Sequence, residues 1–200
     1  EVARWGLVLN RKGAERALAA GLRHLQYVIS VSEPHHKENA GQDVAASIAF
    51  TADLVELAAS QDAVVELTLA TSFGCPFAGP VDPDDVVRLA EQALAAGVRG
   101  SGLADTIGTA VPSEVSALVG RVAAMSDRPV GAHLHDTRGL GVANALAAIE
   151  AGASRIDGAV GGLGGCPFAP GATGNLPLED LAHALDAMGI PTGIDVPALV

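Results

Sequence analysis

Six short apolar runs alternate with six Ala- and Leu-rich stretches of helical period along this chain of 200 residues, and that alternation restricts the fold more than any single motif. The apolar runs place strands over Trp5 to Leu9, Leu25 to Val31, Val64 to Ala70, Gly100 to Ala104, Val130 to His135 and Arg155 to Ala159. The intervening stretches place helices near Gly13 to Ala20, Val44 to Ala59, Pro83 to Ala96, Pro112 to Met125, Gly141 to Ala151 and Leu178 to Met188. Punctuation agrees with these bounds. An Ala-Gly pair closes three helices at Gly21, Gly97 and Gly152, and Pro83 and Pro112 suit a first helical turn, where a missing N–H costs nothing.

Repeated β/α units without a hairpin signal imply a parallel sheet covered by helices, which leaves a doubly wound sheet or a (β/α)8 TIM barrel. The polar residues choose between them. Asn10, Ser32, Thr71, Asp105, His135 and the loop 161–175 all fall at or just after strand C-termini, the face on which barrel enzymes carry their chemistry. A doubly wound sheet would gather such residues at one switch point. The Gly-Gly-Leu-Gly-Gly run at 161–165 opens no helix directly, so it makes a poor dinucleotide fingerprint. The fold class is therefore α/β, a TIM barrel. Six units are two fewer than a barrel needs, so residues 1–200 are read as a single catalytic barrel domain lacking its N-terminal part, with the first two strands missing.

Composition narrows the partners. A hydrophobic fraction of 49% supports a substantial core, and a net charge of −11 argues against nucleic acid or an anionic membrane surface, since both recruit Lys and Arg. No apolar run reaches the roughly 20 residues of a membrane span, and no signal-peptide pattern is visible. The two cysteines, Cys75 and Cys166, are isolated in Gly-Cys-Pro-Phe contexts, which suits free thiols in a reducing, cytoplasmic setting.

His133 and His135 lead the candidates for chemistry. On a strand, residues i and i+2 share a face about 6 to 7 Å apart, so both imidazoles can turn toward one divalent ion. The bland alternative is a pair of satisfied polar groups at a strand end. Asp136 points the other way and reads as a second-sphere acid or a helix cap. Asn175 reads either as a cap for the following helix or as an amide-oxygen ligand. Two imidazoles and an amide suit Mg²⁺, Mn²⁺ or a related cation, yet the set is uncharged and calls for a further Asp or Glu. Cys166 lies among six glycines between Gly161 and Gly174, a loop suited to closing over a ligand, and is read as catalytic. Cys75 is read as structural. Asp105 is open to three roles: orienting a histidine, acting as acid or base, or satisfying loop amides. Glu33, His35, His36 and Asn39 are placed in a polar loop, and the adjacent histidines are not read as a metal site.

The segment GGLGGCPFAPGATGN at 161–175, with His133-Leu134-His135-Asp136-Thr137, Asp105-Thr106-Ile107-Gly108 and Gly74-Cys75-Pro76-Phe77, resembles the 3-hydroxy-3-methylglutaryl-CoA lyase family. The resemblance runs over essentially the whole chain and takes in Asn10, Ser32-Glu33 with Asn39, and Glu179-Asp180. It implies a TIM barrel that cleaves 3-hydroxy-3-methylglutaryl-CoA to acetyl-CoA and acetoacetate with Mg²⁺ or Mn²⁺, as in leucine degradation. His133, His135 and Asn175 match the family's metal ligands, Cys166 its loop cysteine, Asp105 its active-site aspartate and Glu179 a further acidic residue. His133, or a base it positions with Asp105, is also expected to act on the substrate hydroxyl proton. The family's Arg-Asp pair on its first strand, which supplies the charged ligand, has no counterpart here. Three alternatives stay open: a lyase for a larger branched 3-hydroxyacyl-CoA, an acetyl-CoA-condensing synthase of the isopropylmalate or homocitrate type, and a non-catalytic metal-binding or interaction module built from the partial barrel. The expected partners are an acyl-CoA substrate and a second copy of the chain in a homodimer.

Overall fold

The computed structural model describes residues 2–165 and 174–199. Six strands, β1 (Trp5–Val8), β2 (His24–Ser30), β3 (Val64–Ala70), β4 (Ser101–Asp105), β5 (Val130–Leu134) and β6 (Arg155–Asp157), form one sheet in unbroken chain order. Every neighbouring pair is parallel. A doubly wound sheet reverses direction at a switch point; this order never does, so the sheet is a run of consecutive (β/α)8-barrel units, open between β1 and β6.

The helices are α1 (Arg11–Ala19), α2 (Glu33–Ala40), α3 (Val44–Ala59), α4 (Pro83–Ala95), α5 (Pro112–Ala123), α6 (Gly141–Glu150), α7 (Leu178–Ala187) and the short α8 (Val196–Leu199), with one 3₁₀ turn at Val160–Gly162. Local chemistry sets their ends. The Asn10 side chain accepts from Gly13 N at 2.9 Å and starts α1, Asp82 does the same for α4 through Asp84 N, and the Glu114 carboxylate accepts from Val111 N at the head of α5. Gly21, Gly97 and Gly152 follow α1, α4 and α6 with φ of 85°, 96° and 105°, a region where a Cβ is strained.

Helix α2 was not expected. Its sequence, Glu-Pro-His-His-Lys-Glu-Asn-Ala, has no apolar stripe, so periodicity reads it as loop. The signals that bracket it are Pro34 in the first turn and Gly41 closing it at φ 69°. β6 ends at Asp157 rather than continuing to Ala159; Ala159 instead makes an isolated bridge to Pro177.

The alternation of strand side chains divides the core. Leu25, Tyr27 and Ile29 of β2, Leu67 and Leu69 of β3, Leu103 of β4 and Leu134 of β5 are fully buried and belong to one cluster with Leu54, Val86, Leu89, Val115, Val119 and Ala148 from the helices. The opposite face, which would line a barrel interior, carries Gln26, Thr68, His133, Arg155 and Asp157. Among the described residues no helix is long and apolar enough to cross a membrane. Leu67 has no exposed surface at the centre of the sheet. Leu67→Ala in the full-length protein is expected to lower the free energy of unfolding by about 2–5 kcal/mol, read from urea denaturation.

Candidate active site

Parallel register brings the lumen-facing residues of neighbouring strands level: Gln26 with Glu66, Thr68 with Gly102, Ala104 with His133, and His133 with Asp157. At the C-terminal end of the sheet they wall a cavity of about 300 Å³ whose lining includes Gln26, Thr68, His133, His135 and Asn175, roofed by His35 and Asn39 of α2. A second cavity of about 360 Å³ lies between β6, α6 and α7 and is lined mainly by Ile149, Leu178, Leu181, Leu185 and Ile194. Its described lining carries no imidazole, carboxylate or thiol, so the first cavity is the candidate for chemistry.

The His133 and His135 rings lie 5.3 Å apart, centroid to centroid, at 66° to each other. Beyond β5 the chain is held by the returning segment. His135 forms an antiparallel bridge with Asn175, Asp136 N donates to Gly174 O at 3.1 Å, and Leu176 N donates to Leu134 O at 3.0 Å. Asn175 Nδ2 donates to Leu163 O at 2.7 Å, which turns the amide oxygen to the other side of the planar group. Two imidazoles and one amide, 40 residues apart in order, thus face one space.

Burial pushes the His135 imidazole down to about 4, with the neighbouring His133 adding to the effect. Burial also lowers His133, opposed by the Asp157 carboxylate. Both rings are neutral near pH 7 and carry a lone pair. His135 Nδ1 is buried and has no hydrogen-bond partner among the described residues. An orphaned ring nitrogen beside a second imidazole and an amide oxygen is a donor set that fits a divalent cation. Among the described residues no three His, Cys, Asp or Glu side chains gather at metal-binding separation, and the set remains uncharged, as the sequence implied.

The other candidates fall differently. Asp105 is wholly buried and off the cavity wall, because alternation along β4 turns Ala104 and Thr106 into the lumen and Asp105 away. Its carboxylate accepts from Thr109 N and Ala110 N, both at 3.0 Å. Of the three roles open to it, satisfying loop amides is the one seen; burial raises its carboxyl, and those amides partly offset the rise. Asp136 accepts from Gly141 N at 2.6 Å and caps α6. Asn175 is not a helix cap, since Pro177 occupies that position of α7. Glu179 accepts from Gly161 N with both oxygens, at 2.9 and 3.0 Å, at the root of the glycine-rich loop. Cys166 lies outside the described residues. Cys75 is buried and its sulfur accepts from Ser32 Oγ at 2.9 Å and from the amides of Phe77 and Ala78, a structural placement.

His35 and His36 depart most from the expected solvated loop: both are buried. His36 Nδ1 accepts from Ser30 N at 3.2 Å, so its Nε2 carries the proton donated to Ser47 Oγ at 2.6 Å. His35 Nδ1 lies 2.8 Å from Ser30 Oγ, and its ring packs on Phe77. This helix forms the cavity roof rather than a metal site.

Thr71 was placed at a strand end by sequence but given no role, and Arg155 and Asp157 were not singled out. Thr71 holds φ at 59°, costly for a β-branched residue, and ties the mouth together: its N donates to Thr106 Oγ1 at 2.8 Å and its hydroxyl oxygen accepts from Ser32 N at 3.2 Å. Asp157 places Oδ2 3.9 Å from His133 Nδ1, and Arg155 binds Asp157. The available signal was the period-two pair of charges in Arg-Ile-Asp on a strand, which puts both on the lumen face.

Family comparison bears on this geometry. The HMGL-like family model matches residues 5–200. The chain belongs to the HMGL-like family. Among HMGL-like relatives, it is 42% identical over 195 residues to an (R)-citramalyl-CoA lyase of Chloroflexus aurantiacus, covering 97% of this chain and 62% of that protein. It is 35% identical to a hydroxymethylglutaryl-CoA lyase of Bacillus subtilis, covering 97% and 65%. It superposes with a TM-score of 0.93 on an HMG-CoA lyase of Acinetobacter baumannii solved with coenzyme A and 3-methylmalate, at 43% identity, covering 99% of this chain and 65% of that one. The chain thus spans somewhat under two thirds of the length of these relatives.

The buried imidazoles give stability a pH dependence of definite sign. His135 titrates near 4 when folded and near 6.5 when unfolded, so between those values the unfolded chain binds more protons. Its contribution is present above pH 6.5 and is lost as pH falls toward 4, by up to about 3 kcal/mol. Urea unfolding of the metal-free full-length protein should show this slope, and His135→Gln should flatten it.

Proposed function

We propose that the full-length protein is a carbon–carbon lyase that cleaves a 3-hydroxyacyl-CoA bearing a free carboxylate, with 3-hydroxy-3-methylglutaryl-CoA as substrate and acetyl-CoA and acetoacetate as products. The observation that carries this reading is the convergence of His133, His135 and Asn175 on one lumen cavity, with an orphaned ring nitrogen among them. Family membership supports it.

The bond to be broken joins the carbinol carbon to the carbon α to the thioester. Loss of the hydroxyl proton turns the carbinol into a ketone, and the bonding electrons pass to the α-carbon, which then takes up a proton. His133, His135 and the Asn175 amide oxygen would hold Mg²⁺ or Mn²⁺. When bound, such a cation supplies Lewis acidity that lowers the hydroxyl pKa and orients the bond. The hydroxyl proton passes to a base positioned by His133 on the wall nearest Asp157, since the ring's own lone pair is given to the cation. Cys166 returns a proton to the α-carbon. Glu179 fixes Gly161 at the base of the glycine-rich loop, and Asp105 fixes the segment to Ala110 beside the wall residue Thr106. Both are positioning residues.

A second substrate is favoured by a specific observation: the 42% identical relative is named for (R)-citramalyl-CoA. That thioester has its hydroxyl carbon bonded directly to the carboxylate carbon and is one methylene shorter, and the same cleavage yields pyruvate. Offering both thioesters to the full-length protein, with and without chelator, separates the readings: acetoacetate supports the first and pyruvate the second. Absence of both products, or turnover indifferent to chelator, ends the proposal. Cys166→Ser is expected to lower kcat by about 10²- to 10⁴-fold with metal content unchanged.

A further inference from the structure

Beneath the cavity floor lies a charged cluster that the reaction does not require for contact with substrate. Arg155 and Asp157 share the lumen face of β6, and Arg155 Nε donates to Asp157 Oδ1 at 3.1 Å. Gln26 Nε2, reaching across from β2, lies 3.2 Å from Asp157 Oδ2 and also 2.9 Å from Thr68 Oγ1. The other side of the guanidinium pairs with Glu66, which is buried on β3, and its Cζ lies 5.0 Å over the Trp5 ring of β1. Space for this arginine is built into the sheet. A Cβ at Gly131 of β5 would come within 2.8 Å of Arg155 Nη2, and one at Gly102 of β4 within 3.4 Å. All six strands therefore contribute to the arrangement.

One guanidinium faces two carboxylates, so the cluster keeps one net negative charge, and Asp157 Oδ2 turns toward His133 Nδ1 at 3.9 Å. We propose that Asp157, clamped by Arg155 and Gln26, is the positioning residue for His133: it selects the tautomer with the proton on Nδ1 and so presents the Nε2 lone pair to the cavity. A carboxylate that receives one ring N–H settles which nitrogen is free to bind and stops the ring from turning. At 3.9 Å the contact is electrostatic, and a small rotation of either side chain or one bridging water makes it a hydrogen bond. Arg155 Nε holds Asp157 Oδ1 and so fixes which way the carboxylate points, and the arginine acts through the aspartate.

This inference rests on the reading of His133 as a ligand, but its test does not. In the metal-free full-length protein at neutral pH, ¹⁵N spectra of labelled histidine, assigned by loss of signals in His133→Gln, should show His133 with a protonated Nδ1 and an unprotonated Nε2. Asp157→Asn should shift the tautomer population toward Nε2–H and weaken Mn²⁺ binding about ten- to hundredfold. Arg155→Gln should move both readouts the same way, and Arg155→Lys should recover part of each. A wild-type spectrum with the proton on Nε2, which needs no variant to fold, overturns the proposal; so does unchanged Mn²⁺ affinity in folded Asp157→Asn. Failure of the wild-type protein to bind Mn²⁺ would instead overturn the lyase reading and leave the tautomer assignment standing.

Discussion

The register between β4, β5 and β6 decides which side chains can meet. Ala104 lies beside His133 and His133 beside Asp157, each pair set by parallel hydrogen bonds that do not consult the side chains. Because side chains alternate, a slip of one residue in β5 would send both imidazoles into the helix layer and Leu134 into the lumen. The buried leucines on the other face forbid that slip. Leu67, Leu103 and Leu134 are all without exposed surface, so the hydrophobic layer outside the sheet holds the polar layer inside it in place. Packing and chemistry are two faces of the same alternation.

Desolvation shapes the inner face. A charged imidazole on the His135 side of the cavity is disfavoured by burial and by its neighbour, so the site keeps basic nitrogens that remain unprotonated at neutral pH. Formal charge is concentrated lower down, where Glu66, Arg155 and Asp157 neutralise one another except for one negative charge. An arrangement of this kind is a weak source of stability, since burying ions costs about as much as their attraction returns. Its value lies in orientation: it leaves a directed carboxylate under His133.

Most of the fold was legible because it rests on short-range rules. Apolar runs, Ala-Gly stops and first-turn prolines place six strands and six of the helices within a residue or two. Helix α2 escaped because it packs by hydrogen bonds from His35 and His36 to Ser30 and Ser47 rather than by an apolar stripe, and a polar helix leaves no periodic trace. Gln26, Arg155 and Asp157 escaped for another reason. Their partners lie up to 131 residues away, and nothing local marks a glutamine or an aspartate as facing a histidine on another strand. Asp105 shows the converse: its motif suggested the site, while alternation along β4 turned its carboxylate to the amides of its own loop.

From sequence alone came the β/α order, the lumen-facing pair His133 and His135, the glycine-rich return that carries Asn175, and the resemblance that named the family. These depend on spacing along the chain, which residue types and strand period determine. The tertiary structure alone decided that Asn175 lines the same cavity as the imidazoles, that Asp105 is spent on its loop, that α2 roofs the cavity and that Asp157 stands under His133. Each is a meeting of groups distant in the chain, and such meetings exist only once the sheet has set its register.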